Sequence, residues 1–192
     1  MRFFAISNIL DVSTKQLFDI NKIDVDFCIF LGDIPEKSIC SISKAAECNS
    51  YLLLGENDKS LSTSCDVTSL HNSIAHINGQ TIGGFQASQD IYNKKNISDH
   101  DVLNELKGAH TLFTHHSPFV KINAAGIRTS PTYINDLIEI VQPKSIIYGR
   151  SSQNAIGSLQ KYKCDIVKTI GIYGIVFMEI DHRAHIKQFI VY

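Results

Sequence analysis

Five apolar runs of this chain end in the same manner, with a small or turn-forming residue followed by side chains able to bind or ligate. The endings are Asn8, Gly32-Asp33, Gly55-Glu56-Asn57-Asp58, His115-His116 and Gly149-Arg150. Carboxylates and imidazoles hold divalent cations and move protons, and a guanidinium grips anions. A single Asp after a strand is ordinarily a turn residue. Five such endings point instead to one shared edge, because the carboxyl ends of neighbouring strands in an α/β sheet converge there.

The elements that must position these groups are legible as short runs rich in Phe, Ile, Leu and Tyr: RFFAIS (2–7), DFCIFL (26–31), YLLL (51–54), TLFT (111–114) and SIIYG (145–149). Runs of this length without alternation suit strands buried on both faces. Amphipathic stretches lie between them. STKQLFDI (13–20) sets Leu17 and Ile20 on one face, and DHDVLNEL (99–106) does the same with Val102, Leu103 and Leu106. SPTYINDLIEIVQP (130–143) carries the strongest helix signal, with Ser130 as cap, Pro131 at the first helical position and Pro143 as terminator. Strand follows strand after residue 160, in CDIVKT (164–169), YGIVFMEI (173–180) and HIKQFIVY (185–192), with Gly171, Gly174 and the DHR turn (181–183) between them. GENDKSLSTSCDVTS (55–69) and YNKKNIS (92–98) read as solvated loops.

A length of 192 residues suits one domain, and no repeat or long linker divides residues 1–192. A formal charge of -1 gives no field that would gather a polyanion, so nucleic acid is not an expected partner. The five cysteines (Cys28, Cys40, Cys48, Cys65 and Cys164) are odd in number and include no C-x-x-C pair. Reduced thiols in a cytoplasmic protein are therefore expected, rather than a disulfide framework or a zinc knuckle. No apolar stretch is long enough to span a membrane, and the start of the chain lacks the apolar core of a secretory leader.

The same endings carry a resemblance to the calcineurin-like metallophosphoesterases. Members of that family show D-x-H, G-D, G-N-H-D or G-N-x-D, T-H-x-P-P and G-H-x-H, in this order. Here the matching stretches are S-N-I-L (7–10), L-G-D-I (31–34), G-E-N-D (55–58), T-H-H-S-P (114–118) and G-R-S-S (149–152). INGQTIGGFQAS (77–88) looks like the family's strand pair, and the region from His115 to Gly149 resembles its small prokaryotic branch. Each motif is short, but the ordered set covers essentially the whole chain. The resemblance implies an α/β fold of two packed mixed β-sheets flanked by helices, a four-layer sandwich.

Active members of the family place two divalent metals against a phosphoryl group, bridged by the G-D aspartate. Matched residue by residue, this chain keeps little of that centre. At the first metal, Asn8, Leu10 and Ser152 stand where the family has Asp, His and His, and only Asp33 is retained. Leu10 has no lone pair, and neutral Asn8 and Ser152 are weak ligands. At the second, Asp33 and His115 match and Glu56 replaces Asn, but Arg150 replaces the remaining His. A guanidinium has only donors and repels a cation. Arg150 is therefore expected to take a metal's place by pairing with Asp33 and Glu56. The family's catalytic His corresponds to Asn57, which cannot shuttle a proton, and its orienting acid corresponds to Asp58, whose plainer reading is a turn or cap. His116 is additional to the motif.

The expectation is a catalytically degenerate phosphoesterase fold acting as a binding or assembly module, without a cofactor or with at most one divalent metal (Mn, Fe or Zn). The alternatives are a residual phosphoesterase with one metal at Asp33, Glu56 and His115, and a sensor holding a phosphate-bearing ligand with Arg150, Asn8, Asn57, Ser151 and Ser152. A protein or a phosphate-bearing small molecule is the expected partner, and a homodimer is compatible with the sequence.

Overall fold

The first apolar runs do not alternate because each side of their strands meets a different core. The computed structural model describes residues 1–55, 57–58, 65–85, 104–117, 121–122, 128–129, 139–160, 166–183 and 185–192. β1 (Arg2–Ser7), β2 (Phe27–Phe30) and β3 (Asn49–Leu52) are parallel neighbours, connected through α1 (Thr14–Asn21) and α2 (Glu36–Ala46). Phe3, Ala5, Phe27 and Ile29 face one core, shared with Phe113, Ile147 and Ile170. Phe4, Ile6, Cys28 and Phe30 face another, closed by Ile20 of α1 and Ile39 and Ile42 of α2. The period of two thus survives as a choice between two buried faces.

β4 (Thr68–Ser69), β13 (Gly174–Ile180) and β14 (Ile186–Val191) complete a mixed sheet in the order β14-β13-β1-β2-β3-β4. β1 lies between β2 and β13, and its pairing with β13 is antiparallel, Arg2 opposite Glu179 and Ser7 opposite Gly174. The second six-stranded sheet has the order β11-β12-β10-β7-β6-β5, built from β5 (Ser73–Ile77), β6 (Gln80–Phe85), β7 (Thr111–Thr114), β10 (Ser145–Tyr148), β11 (Ala155–Gln160) and β12 (Ile166–Gly171). β8 (Lys121–Ile122) and β9 (Arg128–Thr129) form a separate ribbon. Two mixed six-stranded sheets packed face to face, with helices outside, make the α/β sandwich that the sequence implies.

Several local expectations hold and others change. The helix expected over 13–20 is α1, opened by a capping box in which Ser13 and Gln16 satisfy each other's backbone N–H groups. α2 has no counterpart among the expected helices, since its sequence EKSICSISKAA mixes Ile, Cys and Ser with good helix formers. The loop expected over 55–69 ends in β4, which pairs with β3. Of the helices expected over 99–106 and 130–143, only 104–105 and 139–141 are described as helical, and the loop at 92–98 lies outside the described residues. No helix among the described residues is long and apolar enough to cross a membrane.

The cysteine expectation is corrected at one pair. Cys40 of α2 and Cys65 form a disulfide with their Cα atoms 5.0 Å apart, while Cys28 and Cys48 are thiols. The reason is local. Glu36, Cys40 and Ser43 are spaced to share one stripe of α2, and that stripe meets the chain at 65–66 through the disulfide and through a hydrogen bond from Ser43 Oγ to the Asp66 carbonyl, 3.3 Å.

Phe27 is the aromatic hub between the sheets. Its ring stacks on Phe3 at 4.9 Å and meets Tyr51 and Phe113 edge-on at 5.9 and 6.0 Å. Phe27→Ala is expected to lower unfolding stability by about 3–5 kcal/mol, read as a reduced urea midpoint.

Candidate functional site

The carboxyl ends of β1, β2, β3, β7 and β10 meet at one edge of the sandwich, and backbone geometry marks the place. Asn8, Asp33 and Arg150, which follow β1, β2 and β10, all adopt left-handed φ angles, of 55°, 56° and 46°. This region is costly for residues with a Cβ, least so for Asn and Asp, and such strain collects at functional sites. It turns each side chain out of its strand's path at the shared edge. Arg150 N–H donates to the buried Ser7 hydroxyl at 3.3 Å, and Asn8 Nδ2 donates to the Ser151 carbonyl at 3.3 Å. The endings of β1 and β10 are thereby tied together.

Asp58 organises the second and third loops. Its Oδ2 accepts the backbone N–H groups of Asp33 and Gly55, each at 2.8 Å, and its Oδ1 accepts that of Ile34 at 3.2 Å. Charge-assisted bonds of this kind are the stronger class. Asp58 thus braces two loops, and it caps no helix among the described residues, since α2 begins after Pro35 without a side-chain cap. Asn57 in turn steadies Asp33, donating to its Oδ1 from Nδ2 at 3.1 Å and from the backbone at 3.3 Å. Glu56, between Gly55 and Asn57, lies outside the described residues.

His115 enters from the other sheet. It is fully buried, and its Nδ1 donates to the Leu31 carbonyl at 2.7 Å, which turns Nε2 toward Asp33 Oδ2 at 3.5 Å. Nε2 itself is buried with no hydrogen-bond partner. An imidazole held through one ring nitrogen by a backbone carbonyl, with the other nitrogen beside a carboxylate, is an arrangement common to metal-ligating histidines. Two glycines permit this closeness. Gly32, at φ 84°, sits where a Cβ would come 2.6 Å from Gly55 N. A Cβ on Gly55 would lie 2.6 Å from Asp33 Oδ1 and 2.8 Å from His115 Cε1.

The donor set fits a dinuclear centre poorly. At the first position Asn8 is engaged with Ser151, Leu10 is 90% exposed and Ser152 is exposed. At the second, Asp33 and His115 face each other as ligands would, but among the described residues no third His, Cys, Asp or Glu joins them within metal-binding reach. A single cation is compatible with Asp33 and His115 if Glu56 supplies the third ligand.

Of the two acids expected to pair with Arg150, Glu56 lies outside the described residues. Among the described residues no ion pair joins Arg150 to Asp33, and the Arg150 guanidinium lies 3.5 Å from His116 Nδ1. His116 is nearly buried, its ring packed edge-on against His115 at 4.9 Å, and its carbonyl accepts the Thr114 hydroxyl at 2.7 Å. The sequence reading missed Tyr148, the last residue of β10. Burial pushes its phenol pKa up, and hydrogen bonds with Ser117 and Ser151 pull in the other direction. Its position immediately before Gly149-Arg150 was the available signal.

No family model matches the chain, and no curated protein matches it. Solved structures do. The crystal structure of TT1561 of Thermus thermophilus aligns over 97% of this chain and 96% of its own, at 14% identity and a TM-score of 0.59. A second crystal structure aligns over 97% of both chains, at 15% identity and a TM-score of 0.61. GAP50, titled the anchor in the inner membrane complex of Plasmodium, aligns over 100% of this chain and 88% of its own, at 10% identity and a TM-score of 0.52. At these identities the likeness concerns the fold alone, and that fold is the calcineurin-like metallophosphoesterase fold.

Two substitutions test this geometry. Asp58→Ala removes the acceptor of three backbone N–H groups and is expected to cost about 2–3 kcal/mol, with Asp58→Asn milder because it keeps one oxygen. Gly55→Ala drives a methyl group against Asp33 and His115 and is expected to cost about 1–3 kcal/mol. Urea unfolding reads both.

Proposed function

We propose that this chain is a metallophosphoesterase-fold protein without a dinuclear metal centre, acting as a binding or assembly module. The observation that carries the reading is at the end of β1. The Asn8 carboxamide is engaged with the Ser151 backbone, and Leu10, at the position of the family's first histidine ligand, is an exposed apolar side chain. Leu10 has no lone pair and the neutral Asn8 carboxamide is a weak ligand, so the first metal position lacks the anionic and imidazole ligands a cation needs. Arg150 adds a permanent positive charge at the same edge. GAP50, a protein of similar fold named as an anchor, lends the assembly role a precedent.

One observation favours a second reading, a phosphoesterase with a single metal. The Nε2 of His115 is buried, without a hydrogen-bond partner, and faces Asp33. Asp33 and His115, with Glu56, would hold the ion. A divalent cation there would polarise a phosphoryl oxygen and acidify a bound water. The chain's own contribution would be orientation: Leu31 holds the His115 ring, and Asn57 steadies Asp33.

Elemental analysis joined to an activity assay separates the two. Purified protein is expected to contain negligible Mn, Fe or Zn and to leave an aryl phosphate and a cyclic nucleotide intact with or without added Mn²⁺. Near-stoichiometric metal, with turnover abolished in both Asp33→Ala and His115→Ala, would replace the assembly reading with the single-metal one.

A further inference from the structure

Two segments, 33–40 and 58–65, are joined at both of their ends. At the first end the Asp58 carboxylate accepts the N–H groups of Asp33 and Ile34. At the second, the disulfide links Cys40 to Cys65. One link is electrostatic and reversible within the fold, and the other is covalent and depends on the redox state of its surroundings. We propose that Cys40 and Cys65 are a thiol–disulfide exchange site, and that their redox state sets how firmly Asp58 holds the candidate site. The proposal is independent of whether Asp33 and His115 carry a metal.

Three observations support it. Both cysteines are only half-buried, so a small thiol or disulfide can approach them. Their approach is prepared by the surrounding contacts: Cys65 Sγ lies 3.8 Å from the Glu36 carbonyl, and Ser43 Oγ donates to the Asp66 carbonyl at 3.3 Å, so α2 presents Cys40 to Cys65. The other neighbouring pair, Cys28 and Cys48, lies 3.7 Å apart at the far end of α2. There the Cys28 thiol is fully buried, its pKa pushed up by its hydrogen bond with Cys48 and by burial, while the same bond pulls the pKa of the half-buried Cys48 down. That pair carries no disulfide, whereas Cys40 and Cys65 do.

The step balances with a small-molecule disulfide such as glutathione disulfide as oxidant. One cysteine thiolate attacks a sulfur of that disulfide, forming a mixed disulfide and releasing one small thiolate. The second cysteine thiolate attacks the protein sulfur of the mixed disulfide, closing Cys40–Cys65 and releasing the other small thiolate. The two protein thiols lose their protons to solvent and two electrons pass to the small disulfide, and a dithiol reverses the sequence. Asp58 lies seven residues before Cys65 in the chain, so closure limits how far its carboxylate can withdraw from the N–H groups of Asp33, Ile34 and Gly55.

Peptide mapping and amide exchange test both halves of the proposal. Protein equilibrated with glutathione disulfide is expected to yield a Cys40–Cys65 linked peptide that disappears on treatment with dithiothreitol. In reduced protein the Asp33, Ile34 and Gly55 amides are expected to exchange about tenfold faster or more, while the Phe4 and Ile29 amides stay unchanged. Cys65→Ser is expected to reproduce the reduced pattern, and reduced wild type carries the comparison if that variant does not fold. Equal exchange of the three amides in both redox states overturns the coupling. Failure of the linked peptide to form overturns the site, as does zinc held by Cys40 and Cys65 with Glu36, whose ligand atoms all lie within 4.8 Å of one another.

Discussion

The hydrogen bond from His115 Nδ1 to the Leu31 carbonyl is the constraint on which the candidate site depends. Leu31 follows the first sheet's β2 and His115 follows the second sheet's β7, so this 2.7 Å bond joins the two layers where their carboxyl ends meet. It does so inside the protein, where a lost partner would leave both groups desolvated and unsatisfied. The same bond decides which nitrogen of the imidazole faces Asp33. Glycine at positions 32 and 55 follows from it, since any side chain there would force the layers apart.

Around that bond, negative and neutral groups are treated differently. Asp58 is surrounded by backbone N–H groups, and Asp33 Oδ1 receives both donors of Asn57, so much of the carboxylate charge is answered by dipoles of the chain itself. The His115 Nε2 receives no such answer. The two carboxylates, by contrast, are stabilised by donors of the chain itself.

Much of this arrangement was legible in the sequence. The strand ends were, because buried parallel strands give unmistakable apolar runs and their endings concentrate polar residues. The convergence of Asn8, Asp33, Asn57, Asp58, His115 and Arg150 at one edge followed from the parallel order of those strands. What was not legible depended on contacts between side chains distant in sequence. α2 was hidden by a composition that fits helix and strand equally well, and the Cys40–Cys65 bond by a separation of 25 residues that only α2 explains. The contact of Arg150 with His116 was not legible because charge complementarity in the sequence points to acids rather than to an imidazole.

The place of β1 in its sheet bears on how the chain is made. β1 precedes one of its two neighbours, β13, by about 170 residues of chain. One edge of the apolar strand at residues 2–7 therefore stays unpaired in the nascent chain until β13 has been made. Ser7 pairs with Gly174, so the strand that ends at Asn8 completes its pairing only after the intervening chain is in place.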